Sequence, residues 1–218
     1  MEENRFNKRI PPVILRSAMG NNKWKIGVYG SGFLTDENKQ TPIFIATQTV
    51  GKELANHGAI VVTGACSGLP YVAARAARES SGEVWGFAPA KDYASYVILE
   101  PRGKHTDKSL YTKMFFVPKD FEFINWHEAC CKYRNVTSTA SSDAGIIISG
   151  KWGTLNEFTN LVDFQKVIGV LVGTGGTADE IPNLWKKIKK AGNKSKVIFD
   201  SDPIELVKKV IGELEKNS

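Results

Sequence analysis

The sequence predicts an α/β domain: three layers, α/β/α, around a mostly parallel sheet of about seven strands. Three observations carry this prediction. Seven short apolar runs, most of them dense in β-branched residues, alternate with longer segments whose apolar residues recur at three- and four-residue spacing. Glycine turns stand at the carboxyl ends of the first, second and fifth runs. The 218 residues suit one domain, and no internal repeat or low-complexity stretch divides them.

Taken in order, residues 1–22 are expected to be a mobile arm, punctuated by Pro11-Pro12 and Gly20-Asn21-Asn22, ahead of a single domain over 23–218. Lys25–Tyr29 is the first strand and runs into Gly30-Ser31-Gly32. Residues 43–56 carry Ile43, Ala46, Val50 and Leu54 before Gly58, a helix with a glycine stop. Ala59–Thr63 is the second strand, and Gly64–Pro70 leads from it into an alanine-rich helix over 71–79. Glu83–Ala88 is the third strand. Residues 89–111 are polar without periodicity and predict a long loop beside the site. Lys113–Val117 is the fourth strand, and a helix is expected from about Phe123 through Ser142, with a bend in its second half. Ala144–Ile148 and Val167–Val172 are the fifth and sixth strands, with a helix between them. A helix over 178–190, a strand at Lys196–Phe199 and a final amphipathic helix capped by Asp202-Pro203 complete the chain. Ligands of such open sheets bind at the carboxyl edge, where strand order reverses, so three glycine turns at that edge predict a cleft.

Composition narrows the function classes. With 42% hydrophobic and 24% charged residues the chain reads as an ordinary globular protein. No apolar run approaches the roughly 18 residues that cross a bilayer, so no membrane partner is expected. Cys66, Cys130 and Cys131 form no disulfide framework, and no Cys/His set has metal-ligand spacing. The expectations are a reducing cytoplasm and no metal. The charge of +6 gathers partly in Arg5, Lys8 and Arg9 and partly in the lysines of 186–196. No nucleic-acid module accompanies these residues; they read as a solvated face, and no nucleic-acid partner is expected. A modest positive field favours small phosphorylated ligands.

The chemistry concentrates in Ala144–Glu157, A-G-I-I-I-S-G-K-W-G-T-L-N-E. A buried strand, a glycine turn and a helix start present free backbone N–H groups and a positive helix end to an anion. Gly150, Lys151, Gly153 and Thr154 are therefore candidate phosphate contacts. Glu157, one turn into the helix, suits a sugar hydroxyl or proton transfer better than a phosphate. Gly30, Ser31 and Gly32 form a second candidate turn, but it lacks the full G-x-G-x-x-G and no acidic residue ends the second strand, which disfavours a dinucleotide. Gly64, Ser67 and Gly68 form a third, in which Ser67 either contacts a phosphate or ribose or caps the next helix. Cys66 in the same turn reads as a small packed hydrophobe. Arg134 and Asn135 precede the fifth strand, and the arginine can fork onto a phosphate or carboxylate, or lie on the surface.

As an ordered set over roughly residues 25–175, these motifs resemble the Lonely Guy family, also called lysine decarboxylase-like, of the Rossmann-like nucleotide-binding superfamily. The resemblance rests on a first strand ending in a glycine-serine turn, G-V-Y-G-S-G, and on the second turn before its helix, T-G-A-C-S-G-L. It rests also on Arg134 standing 15 residues before S-G-K-W-G-T-L-N-E, which is similar to the family's P-G-G-x-G-T-x-x-E (149 − 134 = 15). The resemblance implies a nucleoside 5′-monophosphate phosphoribohydrolase, with Arg134 and Glu157 as the catalytic pair, a glycine turn on the phosphate, no required cofactor and a homodimer. Lysine decarboxylase activity is not implied. Trp152 and Phe158 are candidate dimer contacts. Three departures point elsewhere: Ser149 replaces the signature proline, Lys151 its second glycine, and the second turn reads Gly64-Ala65 where the family's hydrolases usually carry a run of glycines. They resemble a branch near the molybdenum-cofactor carrier proteins, which implies the alternative: a non-catalytic carrier or sensor of a nucleotide or pterin phosphate.

Overall fold

A computed structural model describes residues 23–32, 41–99, 106–188 and 192–216; the expected arm over 1–22 and Lys189 and Lys190 lie outside them. The strands are β1 (Lys25–Gly30), β2 (Ile60–Thr63), β3 (Glu83–Phe87), β4 (Lys113–Phe115), β5 (Ala144–Ile148), β6 (Val167–Leu171) and β7 (Lys196–Asp200). The helices are α1 (Pro42–Asn56), α2 (Leu69–Glu79), α3 (Tyr93–Leu99), α4 (His127–Ser141), α5 (Trp152–Asp163), α6 (Gly176–Ile188) and α7 (Pro203–Lys216).

All seven strands pair in parallel, in the order β4-β3-β2-β1-β5-β6-β7. The chain thus builds outward from β1 to one edge, returns, and builds outward from β5 to the other. Right-handed crossovers force the helices onto opposite faces when the direction of growth reverses. Accordingly α1, α2 and α7 pack on one face and α4, α5 and α6 on the other. One cluster joins Ile26, Val28, Ile146 and Ile148 to Val50, Leu54, Ala73, Leu206 and Val210. A second joins Tyr29, Ile147, Ile168 and Val170 to Phe158, Leu161 and Ile181. The period-two alternation of β5 is visible here: Ile147 faces α5 and α6 while Ile146 and Ile148 face the other layer. β5 and β6 are buried throughout, which is why both read as unbroken apolar runs. The edges differ. Both edge strands, β4 and β7, begin on an exposed lysine, Lys113 or Lys196. The Lys113 ammonium lies 5.0 Å from the Trp85 ring centre and 4.8 Å from that of Phe115.

Two local expectations change. The stretch 89–111 is not plain loop: it carries α3 and a 3-10 turn over Lys108–Leu110. Helix α3 shows no apolar stripe because Tyr96 alone is buried, its hydroxyl donating to the Ala65 carbonyl at 2.6 Å, while Ile98 is 77% exposed. Helix α4 begins at His127 and not near Phe123. Residues 122–125 form turns instead, and Phe123 sets its ring edge-on to Trp126. From His127 α4 runs unbroken to Ser141.

Candidate functional site

Strand order reverses between β1 and β5, so the two helices that follow diverge to opposite faces and leave a gap at the carboxyl edge. A cavity of about 310 Å³ occupies that gap. Of the residues predicted from sequence, Gly30, Ser31, Gly32, Arg134, Asn135, Lys151, Gly153, Thr154 and Glu157 line it. Gly64, Ser67, Gly68 and Gly150 are not part of this lining.

Their places follow from packing. The Ser67 hydroxyl donates to the Gly32 carbonyl at 2.6 Å, tying the second turn to the first. Gly68, at φ +80°, lies so close to Ser31 and Gly32 that a Cβ would collide with their backbone. The α2 start offers little to an anion: the Leu69 N–H goes to the Ser31 carbonyl at 2.9 Å and Pro70 has none. The Gly64 carbonyl accepts a hydrogen bond from the Arg134 guanidinium, and a Cβ on Gly64 would strike that group.

The β5–α5 turn is different. Helix α5 has no side-chain cap at its N-terminus; Lys151 is its exposed N-cap residue. Its first N–H groups therefore face the cavity beside Gly153 and Thr154. The turn is braced from behind by the segment after β6. Ser149 N–H donates to Thr174 Oγ1 at 2.9 Å, Thr177 N–H to the Gly150 carbonyl at 2.9 Å, and Thr177 Oγ1 to the Lys151 carbonyl at 3.0 Å. Ser149 sits at φ +52°. Proline, which fixes φ near −65° and has no N–H, cannot occupy this turn as built. The serine at the signature's proline position thus marks a different turn geometry.

Arg134 and Glu157 meet in this cleft, brought together because α4 packs on α5. Glu157 is only 7% exposed. Burial pushes its carboxyl up to about 7, although Arg134 and Lys132 pull the other way. Burial would lower Arg134, but the Cys66 thiol and the Glu157 carboxylate hold its guanidinium well above the ordinary value. The Arg134 Nε and the Asn135 Oδ1 are buried without a partner among the described residues. Asn135 Nδ2 donates to Asn156 Oδ1 at 3.0 Å. Beneath the pair lies Tyr29, fully buried, its hydroxyl 3.2 Å from Ser142 Oγ. Burial first, and Glu157 in addition, drive its phenol upward, against the pull of the Ser142 contact.

Sequence reasoning did not place Cys66, Pro70, Cys131 or Lys132 in the lining. The signal for Cys131 was present: it precedes Arg134 and Asn135 by three and four residues, one helical face. The expected contact role of Phe158 is overturned, because its ring is 3% exposed and packs edge-on to Trp185. Trp152, the first residue of α5, is 82% exposed. No group of three or more potential metal ligands occurs among the described residues. None of their helices is long and apolar enough to cross a membrane.

The SLOG cluster4 family model matches residues 23–207, and the chain belongs to that Lonely Guy-like family. Its fold is Rossmann-like, the three-layer α/β architecture the sequence predicts. The structure is similar to that of TM1055, a structural-genomics target (TM-score 0.66, 19% identity, 87% of this chain and 99% of that one). It is similar to a molybdenum-cofactor carrier protein from Chlamydomonas rheinhardtii (TM-score 0.59, 19% identity, 89% and 99%). It is also similar to DNA processing protein A from Helicobacter pylori, described by its single-stranded DNA binding mode (TM-score 0.62, 19% identity, 89% and 81%). No curated protein matches the chain in sequence. The last structure corrects one expectation: absence of a nucleic-acid module does not exclude nucleic acid, because this same fold serves a single-stranded DNA binder.

Proposed function

We propose that the cleft binds the phosphate of a nucleotide or pterin and that, with a nucleoside 5′-monophosphate, it hydrolyses the N-glycosidic bond. One observation carries this reading: the uncapped α5 start, the Arg134 guanidinium and the buried Glu157 carboxyl converge on a single cavity of about 310 Å³. That volume falls at the small end of ligand sites, about 300 Å³, which suits one mononucleotide. The α5 amides and Lys151 would hold the phosphate. Arg134, which lines the cavity, would orient the sugar phosphate. Ionised Glu157 would stabilise positive charge on the ribose as the bond to the base lengthens, and water would complete hydrolysis to base and ribose 5-phosphate. With its carboxyl near pH 7, Glu157 gains charge as pH rises, so kcat/KM should climb between about pH 6 and 8. Cys66, Cys130 and Cys131 form no disulfide among the described residues, which supports a reducing compartment such as the cytoplasm.

A second reading, retention of a nucleotide or pterin phosphate without turnover, is favoured by Lys151. It adds an exposed charge at the phosphate end with no part in bond cleavage, and the fold is shared with molybdenum-cofactor carriers. The test is a panel of common and modified nucleoside monophosphates, assayed for released base and for a shift in melting temperature. Release that is lost in Glu157→Gln supports hydrolysis. A shift without release supports the carrier. Neither shift nor release defeats both.

A further inference from the structure

The cleft holds chemistry that phosphate binding does not use. Cys66 and Cys131 line it from different elements, the β2–α2 turn and helix α4. Both are partly exposed, whereas their neighbour Cys130 is 1% exposed, its Sγ within 3.4 Å of the Ile124 carbonyl. Cys131 has a base in reach: its Sγ lies 3.5 Å from Nε2 of His127, one helical turn earlier. The other ring nitrogen, Nδ1 of His127, is buried without a partner among the described residues. Nucleophile and base within hydrogen-bonding reach, at the wall of an open cavity, is the arrangement that generates a reactive thiolate. The guanidinium of Arg134, three residues on, adds fixed positive charge to the same wall.

We propose that Cys131, with His127 as its base, is a redox modification site whose oxidation closes the anion cleft. The oxidant class is a hydroperoxide. His127 Nε2 takes the thiol proton, the thiolate sulfur attacks the terminal peroxide oxygen, and the O–O bond breaks. Sulfur is oxidised to a sulfenic acid, and the peroxide is reduced to alcohol or water, the leaving oxygen taking up the proton. The added oxygen then stands in the cavity beside Arg134 and competes with a phosphate for its donors. The closure rests on the phosphate reading; the reactivity of Cys131 does not.

The test uses the reduced full-length protein, hydrogen peroxide and dimedone, which traps sulfenic acid, with the adducts located by peptide mass mapping. Cys131 should be trapped at least about tenfold faster than Cys130, and His127→Ala should remove most of that advantage. In parallel, inorganic phosphate should raise the melting temperature of the reduced protein and not of the peroxide-treated protein. In Cys131→Ser the phosphate shift should survive peroxide. Equal trapping at Cys130, or unchanged trapping in a His127→Ala protein that melts normally, overturns the site. A phosphate shift that persists after oxidation overturns the closure. Fast trapping at Cys131 with no phosphate shift in the reduced protein leaves the thiol chemistry standing, overturns the closure and counts against the phosphate reading instead.

Discussion

At the level of single residues, Glu157 sets the character of the site and also costs stability. Its carboxyl ionises near pH 7 in the folded protein and near 4.3 in an unfolded chain. The folded state therefore binds the extra proton between those values, and the contribution of this group to stability falls as pH rises through that window. The loss amounts to about 3 kcal/mol above pH 7. Glu157→Gln, which cannot ionise, should escape it. Urea unfolding should show the variant more stable than the parent at pH 8, with the gap shrinking towards pH 5. An equal gap at both pH values would mean that the carboxylate is not desolvated in solution. Residues such as Arg134 and Glu157 were legible because each stands in a motif with fixed spacing. Cys131 could have been placed from its helical spacing to Arg134, but its pairing with His127 could not, because a cysteine four residues after a histidine does not show that the two side chains meet.

At the level of elements, the α5 start is where composition and geometry diverge most informatively. A Cβ added at Gly153 would meet nothing within 4 Å. Packing therefore gives no reason for a glycine there, and Gly153→Ala should hold or raise stability by up to about 1 kcal/mol, as alanine does within helices. If a phosphate approaches the backbone at this point, the same change should weaken its binding at least several-fold. Calorimetric titration with inorganic phosphate alongside thermal melts separates the two effects. The strands were readable from sequence because β5 and β6 are apolar on both faces, and α7 was readable because Asp202 Oδ1 accepts from Ile204 and Glu205 N–H at 2.8 and 3.0 Å. Helix α3 was hidden because one buried tyrosine leaves no periodic stripe, and the start of α4 was blurred because Phe123 and Trp126 stand three residues apart, a helical spacing, although they lie ahead of the helix and meet edge-on.

Across the whole molecule, stability should grade from the middle of the sheet outward. β1, β5 and β6 are covered on both faces, whereas β4 is three residues long and β7 is only partly buried. Hydrogen exchange followed by mass spectrometry should find the slowest amides in β1 and β5 and the fastest strand amides in β4 and β7. The reversal of strand order, legible only as recurring glycine turns, decides where the cleft opens. The lysines that begin the two edge strands have a different outcome. A parallel sheet of this length ends in two rows of unpaired peptide groups, each able to recruit a foreign strand into a growing fibril. Lys113 and Lys196 place a charge at each of those margins. Replacing both with valine should leave the chain folded but make concentrated solutions turn turbid and bind amyloid dyes, while either lysine alone should suffice to slow that growth from one margin.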